Sequence, residues 1–152
     1  MLKPKMVVIH HSATPDTGTL SWGAIQDYHV NHNGWSDVGY HAGIEQAGDR
    51  FLCFFGRPDV LAGAHTVGQN GRSLGFCFVG NFDEVAPGRS RLIVAARRVL
   101  APWLLRYGLG PGDIVPHSQF ASKSCPGKLF SMSELRDIVA EELDALRRKN
   151  AG

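Results

Sequence analysis

The sequence predicts an α/β domain built on a single mixed central sheet flanked by helices. Short apolar runs bounded by turn residues, such as Met6–Ile9 and Leu74–Val79, have the length and composition of buried strands. Other segments place apolar residues three and four apart, the helical period. The two kinds alternate along the chain, which favours helices packed on the faces of one sheet. At 152 residues the chain suits a single domain, residues 1–152, with a normal core.

Met6–Ile9 reads as a short buried strand that ends at His10 at a sheet edge, followed by a loop over Thr14–Gly18. A helix is expected from Ser21 to Asn31, with Trp22, Ile25, Tyr28 and His29 on one face, ended by Asn33-Gly34. Two strands follow, Tyr40–Gln46 and Arg50–Phe55, joined through Ala47-Gly48-Asp49 as a hairpin. Val60–Arg72 is loop-rich, because Gly63, Gly68, Asn70 and Gly71 break every period. After the Leu74–Val79 strand comes a long helix, Ser90–Tyr107, with Leu92, Ala96, Val99, Trp103 and Leu104 in its buried stripe. Pro102 should kink this helix and Gly108 should close it. Ile114-Val115 forms a short strand that delivers His117. The last helix runs from Ser133 to Lys149, and Ser131 and Glu134 have capping-box spacing before it.

Composition narrows the function classes. The chain is 43% hydrophobic and 20% charged, with a formal net charge of +2, too weak to argue for nucleic acid. It suits an anionic partner such as a cell-wall polymer. The cysteines Cys53, Cys77 and Cys125 are odd in number, so no small disulfide framework is implied. Cys53 and Cys77 lie in apolar runs and read as buried core thiols. No run approaches the roughly 20 apolar residues of a membrane span. Met6–Ile9 is too short for a signal-peptide core, so synthesis in a bacterial cytoplasm, with action on the wall only after release, is expected.

The chemistry concentrates in two places. His117 and Cys125 lie eight residues apart, with Lys123 two residues before the thiol. Far upstream, His10 and His11 follow the first strand. Two His and one Cys form a three-ligand zinc set that leaves a fourth position for water, the pattern of a hydrolytic site. A thiol hydrolase using Cys125 and His117 is the competing chemistry, but it leaves the upstream block unexplained.

Five ordered blocks extend the pattern. They are Val8-Ile9-His10-His11-Ser12-Ala13-Thr14, Gly34 through His41, Gly63 through Asn70, Ser73-Leu74-Gly75-Phe76 with Val79-Gly80-Asn81-Phe82, and His117 through Pro126. Together they resemble the zinc-dependent N-acetylmuramoyl-L-alanine amidases, the family of small phage lysozyme-type amidases and animal peptidoglycan recognition proteins. The resemblance runs from about residue 6 to 140 and implies that fold. It implies Zn²⁺ held by His10, His117 and Cys125, with Tyr40 and Lys123 as catalytic helpers. His10 takes the ligand slot as the first His of its block, which leaves His11 as a neighbour satisfied within the fold. His65, Asn70 and Asn81 are implied substrate contacts, whereas His29, His32 and His41 read as structural or surface residues. The implied reaction is cleavage of the amide between N-acetylmuramic acid and L-alanine of peptidoglycan, by a monomer that serves as a phage or prophage endolysin. Two alternatives stay within the family. Non-catalytic recognition modules commonly lack the Cys, and cytosolic muropeptide-recycling amidases have Asp there; Cys125 favours the phage-like branch.

Overall fold

The computed structural model describes residues 1–14 and 21–152, so most of the expected Thr14–Gly18 loop lies outside the described residues. Among the described residues five strands form one mixed sheet: β1 (Met6–His11), β2 (Ala42–Ala47), β3 (Arg50–Phe55), β4 (Ser73–Phe78) and β5 (Ile114–Pro116). Their order is β3-β2-β4-β1-β5. Only the β2–β3 hairpin is antiparallel; β2–β4, β4–β1 and β1–β5 pair in parallel. The hairpin closes tightly because Ala47 pairs with Arg50 and Gly48 sits at φ +64°, a left-handed conformation that suits glycine.

The two faces of the sheet are unequal. One carries Val7, Ile9, Ile44, Leu74, Phe76 and Phe78 into the main core against the later helices. Those are α2 (Arg89–Ala95), α3 (Ala101–Tyr107) and α4 (Met132–Ala151). The other face packs a smaller cluster of Trp22, Val38 and Cys77 against α1 (Trp22–Asp27). Small residues make room there. A Cβ on Gly43 would fall 2.4 Å from the Trp22 ring, and one on Gly75 would fall 2.5 Å from His65.

Several boundaries differ from the sequence expectation for local reasons. Beyond α1 the chain continues as a wide π turn, Tyr28–His32, in which Asn33 N–H reaches Tyr28 O. The extra residue per turn changes the helical phase. Tyr28, expected on the buried face, is 53% exposed and stacks on His32. Pro102 does not interrupt the long helix. A second wide turn, Ala96–Leu100, lies immediately before it, and the Ala101 N–H reaches Ala96 O across that turn. Gly108 closes α3 at φ +66°, and the Ser131 Oγ accepts from Glu134 N–H at the start of α4. Cys53 is only half-buried, because β3 is an edge strand. Tyr40 falls two residues before β2 rather than opening it, and β1 is an interior strand with β5 as its edge neighbour.

Candidate metal centre and cleft

The pairing of β1 with β5 assembles the site. Ile9 lies level with Pro116 on parallel neighbours, so both strands end on the same side, His10 at one end and His117 just past the other. The next strand places Cys77 level with His10, so both side chains leave the sheet on the α1 face. His117 opens a 3₁₀ turn, and a loop returns Cys125 beneath it, closed by Ser118 N–H donating to Cys125 O at 2.9 Å.

The potential ligand atoms of His10, His117 and Cys125 all lie within 4.8 Å of one another. Cys125 Sγ is 3.9 Å from His10 Nδ1. A tetrahedral zinc with ordinary Zn–N and Zn–S lengths would hold those atoms about 3.6 Å apart. The donor set, its spacing and the buried thiol therefore fit zinc. His11 turns to the other face, where its Nδ1 accepts from Phe82 N–H, while its backbone N–H points at Cys125 Sγ. That N–H is suited to stabilise a thiolate.

Electrostatics agree with a ligand set. Burial, then the neighbouring His65 and His117, holds His10 well below the usual imidazole range. Burial and Lys123 lower His117 as well. Both imidazoles are thus neutral near pH 7 and keep a lone pair for a metal. Burial pushes the Cys125 thiol up to about 11, opposite to the low value a nucleophilic thiolate needs. A bound cation is what would deprotonate it.

Six of the eight residues implied by the sequence line one cleft of about 470 Å³: His10, Tyr40, His65, His117, Lys123 and Cys125. The Tyr40 ring lies 5.2 Å from that of His10. Burial, with Cys77 and Cys125 nearby, raises the Tyr40 phenol well above its ordinary value, so it stays a neutral donor. Lys123 is exposed at the cleft rim. Asn70 lines an adjoining cavity of about 340 Å³, but its Oδ1 is engaged by the backbone N–H groups of His65 and Thr66, both at 2.9 Å. Asn81 sits outside both linings; its Oδ1 accepts from Asp83 N–H in the turn after β4.

Other participants carry no signal in the linear sequence. Asp83 lines the cleft and accepts from the Ser124 hydroxyl and from Lys128 N–H, tying the Cys125 loop to the turn after β4. Ser124 first, then Lys128, holds its carboxyl below the usual range. His29 also lines the cleft, with its Nδ1 accepting from Gly39 N–H, and His41 is buried with both ring nitrogens engaged. A lone Asp or His far from the cysteine gives no hint of such a contact.

A profile of the N-acetylmuramoyl-L-alanine amidase family, Amidase_2, matches residues 1–128. The chain belongs to that family. Peptidoglycan-recognition protein LB of Drosophila melanogaster is 31% identical over 134 residues, which cover 82% of this chain and 56% of that protein. The endolysin of Escherichia phage T7 is 30% identical over 125 residues, 79% of this chain and 78% of the endolysin. Among solved structures, the N-acetylmuramoyl-L-alanine amidase LysC from Clostridium intestinale superposes with a TM-score of 0.72 at 28% identity, covering 90% of this amidase-family chain and 85% of LysC. A bumblebee recognition protein, PGRP-SA, gives 0.73 at 29% identity, covering 88% and 81%. The chain thus spans just over half of the fly LB protein and most of the phage endolysin. Among the described residues no helix is long and apolar enough to cross a membrane.

Proposed function

We propose that this chain is a zinc-dependent N-acetylmuramoyl-L-alanine amidase, acting on peptidoglycan as one catalytic domain over residues 1–152. The observation that carries the reading is the His10–His117–Cys125 cluster on the floor of a cleft that Tyr40 and Lys123 also line. When bound, zinc supplies Lewis acidity and lowers the pKa of a water to about 7. The two neutral imidazoles and Cys125 hold it, and the His11 N–H supports the thiolate. The Lys123 ammonium at the rim faces the oxyanion that develops on the lactyl carbonyl, a role worth about 3–4 kcal/mol per donor in well-studied hydrolases. Tyr40, a neutral phenol against His10 that hydrogen-bonds Cys77, lines the cleft where its ring and hydroxyl can orient the reacting groups. The raised Cys125 disfavours the thiol-nucleophile alternative.

The endolysin relatives support a lysis role for a phage or prophage enzyme; on this reading the chain is made in the bacterial cytoplasm, reaches the wall after release and acts as a monomer. Metal content and stem-peptide release from purified peptidoglycan test the reading together. About one zinc per chain, with chelator-sensitive release at the muramyl–alanine bond, is the expected result. Zinc without cleavage would point to a recognition module or a different substrate form. Cleavage without zinc, stopped by a thiol reagent, would transfer the chemistry to Cys125.

A further inference from the structure

His65 was implied as a substrate contact, yet both of its ring nitrogens are already engaged inside the protein. Its Nδ1 lies 3.0 Å from His10 Nε2 and 2.9 Å from Thr66 Oγ1. Its Nε2 lies 3.4 Å from Ser73 Oγ. Ser73 Oγ in turn donates to Gln69 O at 2.7 Å, which spends its only proton. The directions then follow in sequence. Ser73 has only lone pairs left for His65, so His65 Nε2 carries the proton. His65 Nδ1 is therefore bare and accepts, from His10 Nε2–H and from the Thr66 hydroxyl. With its proton on Nε2, His10 has its lone pair on Nδ1, the nitrogen that faces Cys125.

We infer that His65 is a positioning residue that fixes the tautomer and ring orientation of His10 through a Ser73–His65–His10 relay. The inference rests on the zinc reading above. Metal-bound imidazoles generally donate their second N–H to an acceptor that sets tautomer and orientation. Here the acceptor is a second imidazole rather than a carboxylate, so the site gains no additional negative charge. The relay is built into the fold. Asn70 ties down the backbone of His65 and Thr66, and the missing Cβ of Gly75 leaves the space the His65 ring occupies. The two ring centroids lie 5.1 Å apart, a separation that accommodates a nitrogen-to-nitrogen hydrogen bond. Thr66 Oγ1 at 3.3 Å from His10 Nε2 closes the same triangle.

The test uses long-range ¹H–¹⁵N correlation of the histidine rings in zinc-loaded protein, with zinc affinity from competition against a chromogenic chelator. Wild-type His10 should carry its proton on Nε2. His65→Ala should weaken zinc by about 10–100-fold. His65→Gln, whose amide oxygen can accept the same N–H, should return affinity close to wild type, which a merely space-filling role would not predict. Ser73→Ala should weaken zinc less than His65→Ala. A His10 proton on Nδ1 in the wild type overturns the inference. So does unchanged zinc affinity in His65→Ala with a raised KM for a muropeptide, which would return His65 to substrate binding. Should His65→Ala fail to fold, the wild-type tautomer and Ser73→Ala decide. Should the wild type take up no zinc, the amidase reading falls, and the tautomer measured in metal-free protein still decides whether the relay exists.

Discussion

Gly75→Ala adds one methyl group on the α1 face of β4, and the geometry says where it goes. The new Cβ would stand 2.5 Å from His65 Cγ, 2.6 Å from Cδ2 and 2.9 Å from Nδ1. Ordinarily an alanine stabilises a strand interior over glycine by about 0.5–1 kcal/mol. Forcing a methyl group into a packed site costs about 1–3 kcal/mol. The second effect wins, because the obstacle is a ring hydrogen-bonded on both edges rather than a free side-chain end. A net loss of about 1–2 kcal/mol lowers the melting temperature by about 2–8 °C for a chain of this size. The displaced ring also loses its hold on His10, so zinc affinity should fall in the same variant, by up to about 100-fold. Scanning calorimetry of the metal-free protein and chelator competition read the two effects separately. A melting temperature at or above wild type with unchanged zinc affinity would refute both the clash and its link to the metal ligands.

Cys125→Ser should abolish stoichiometric zinc and peptide release while leaving the fold intact, checked by metal content and far-ultraviolet circular dichroism; the side chain is buried, but serine is near its size. Lys123→Ala should keep zinc and lower the cleavage rate by about 10²–10³-fold, the range for loss of one oxyanion donor; an unchanged rate would remove Lys123 from the reaction. Asp83→Asn should loosen the Cys125 loop, which loses its carboxylate acceptor, and show as faster amide exchange at Ser124 and Lys128. The metal-free protein should lose stability in acid. Burial lowers His65 to about 3 and lowers His41 too, whereas both titrate near 6.5 when unfolded. Above pH 6.5 they are neutral in both states and contribute no pH dependence. Below it the unfolded chain takes up protons that the folded one refuses, so stability falls by up to about 1.4 kcal/mol per pH unit for each such imidazole. Urea midpoints at pH 7.5 and 5.0 measure this, and equal midpoints would contradict it.

Much of the site was legible along the chain because its chemistry sits in short blocks. The His117–Cys125 spacing with Lys123 is local, and the strand that delivers His10 ends visibly at a His-His pair. Which His joins His117 and Cys125 is a matter of strand parity. Alternate residues leave a sheet on opposite faces, so His10 enters the cleft with Cys77 level beside it and His11 turns to Phe82. The resemblance names His10 rather than His11, and the structure gathers His10 with His117 and Cys125; the physical reason for that juxtaposition lies in the pairing of β1 with β4.

By itself the sequence determined the strand and helix content, the glycine turns at Gly48 and Gly108, and the residue types of a candidate metal site. Those follow from local sterics and periodicity, which act over a few residues. Tertiary structure decided what the periodicity could not carry. It turned Tyr28 outward through a wide turn, brought Asp83 to the Cys125 loop and engaged Asn70 with its own backbone. It also set His65 against His10, 55 residues away in the chain. Hydrogen-bond partners across such separations are selected by packing: a ring fits beside His10 only because Gly75, on a neighbouring strand, leaves its volume empty.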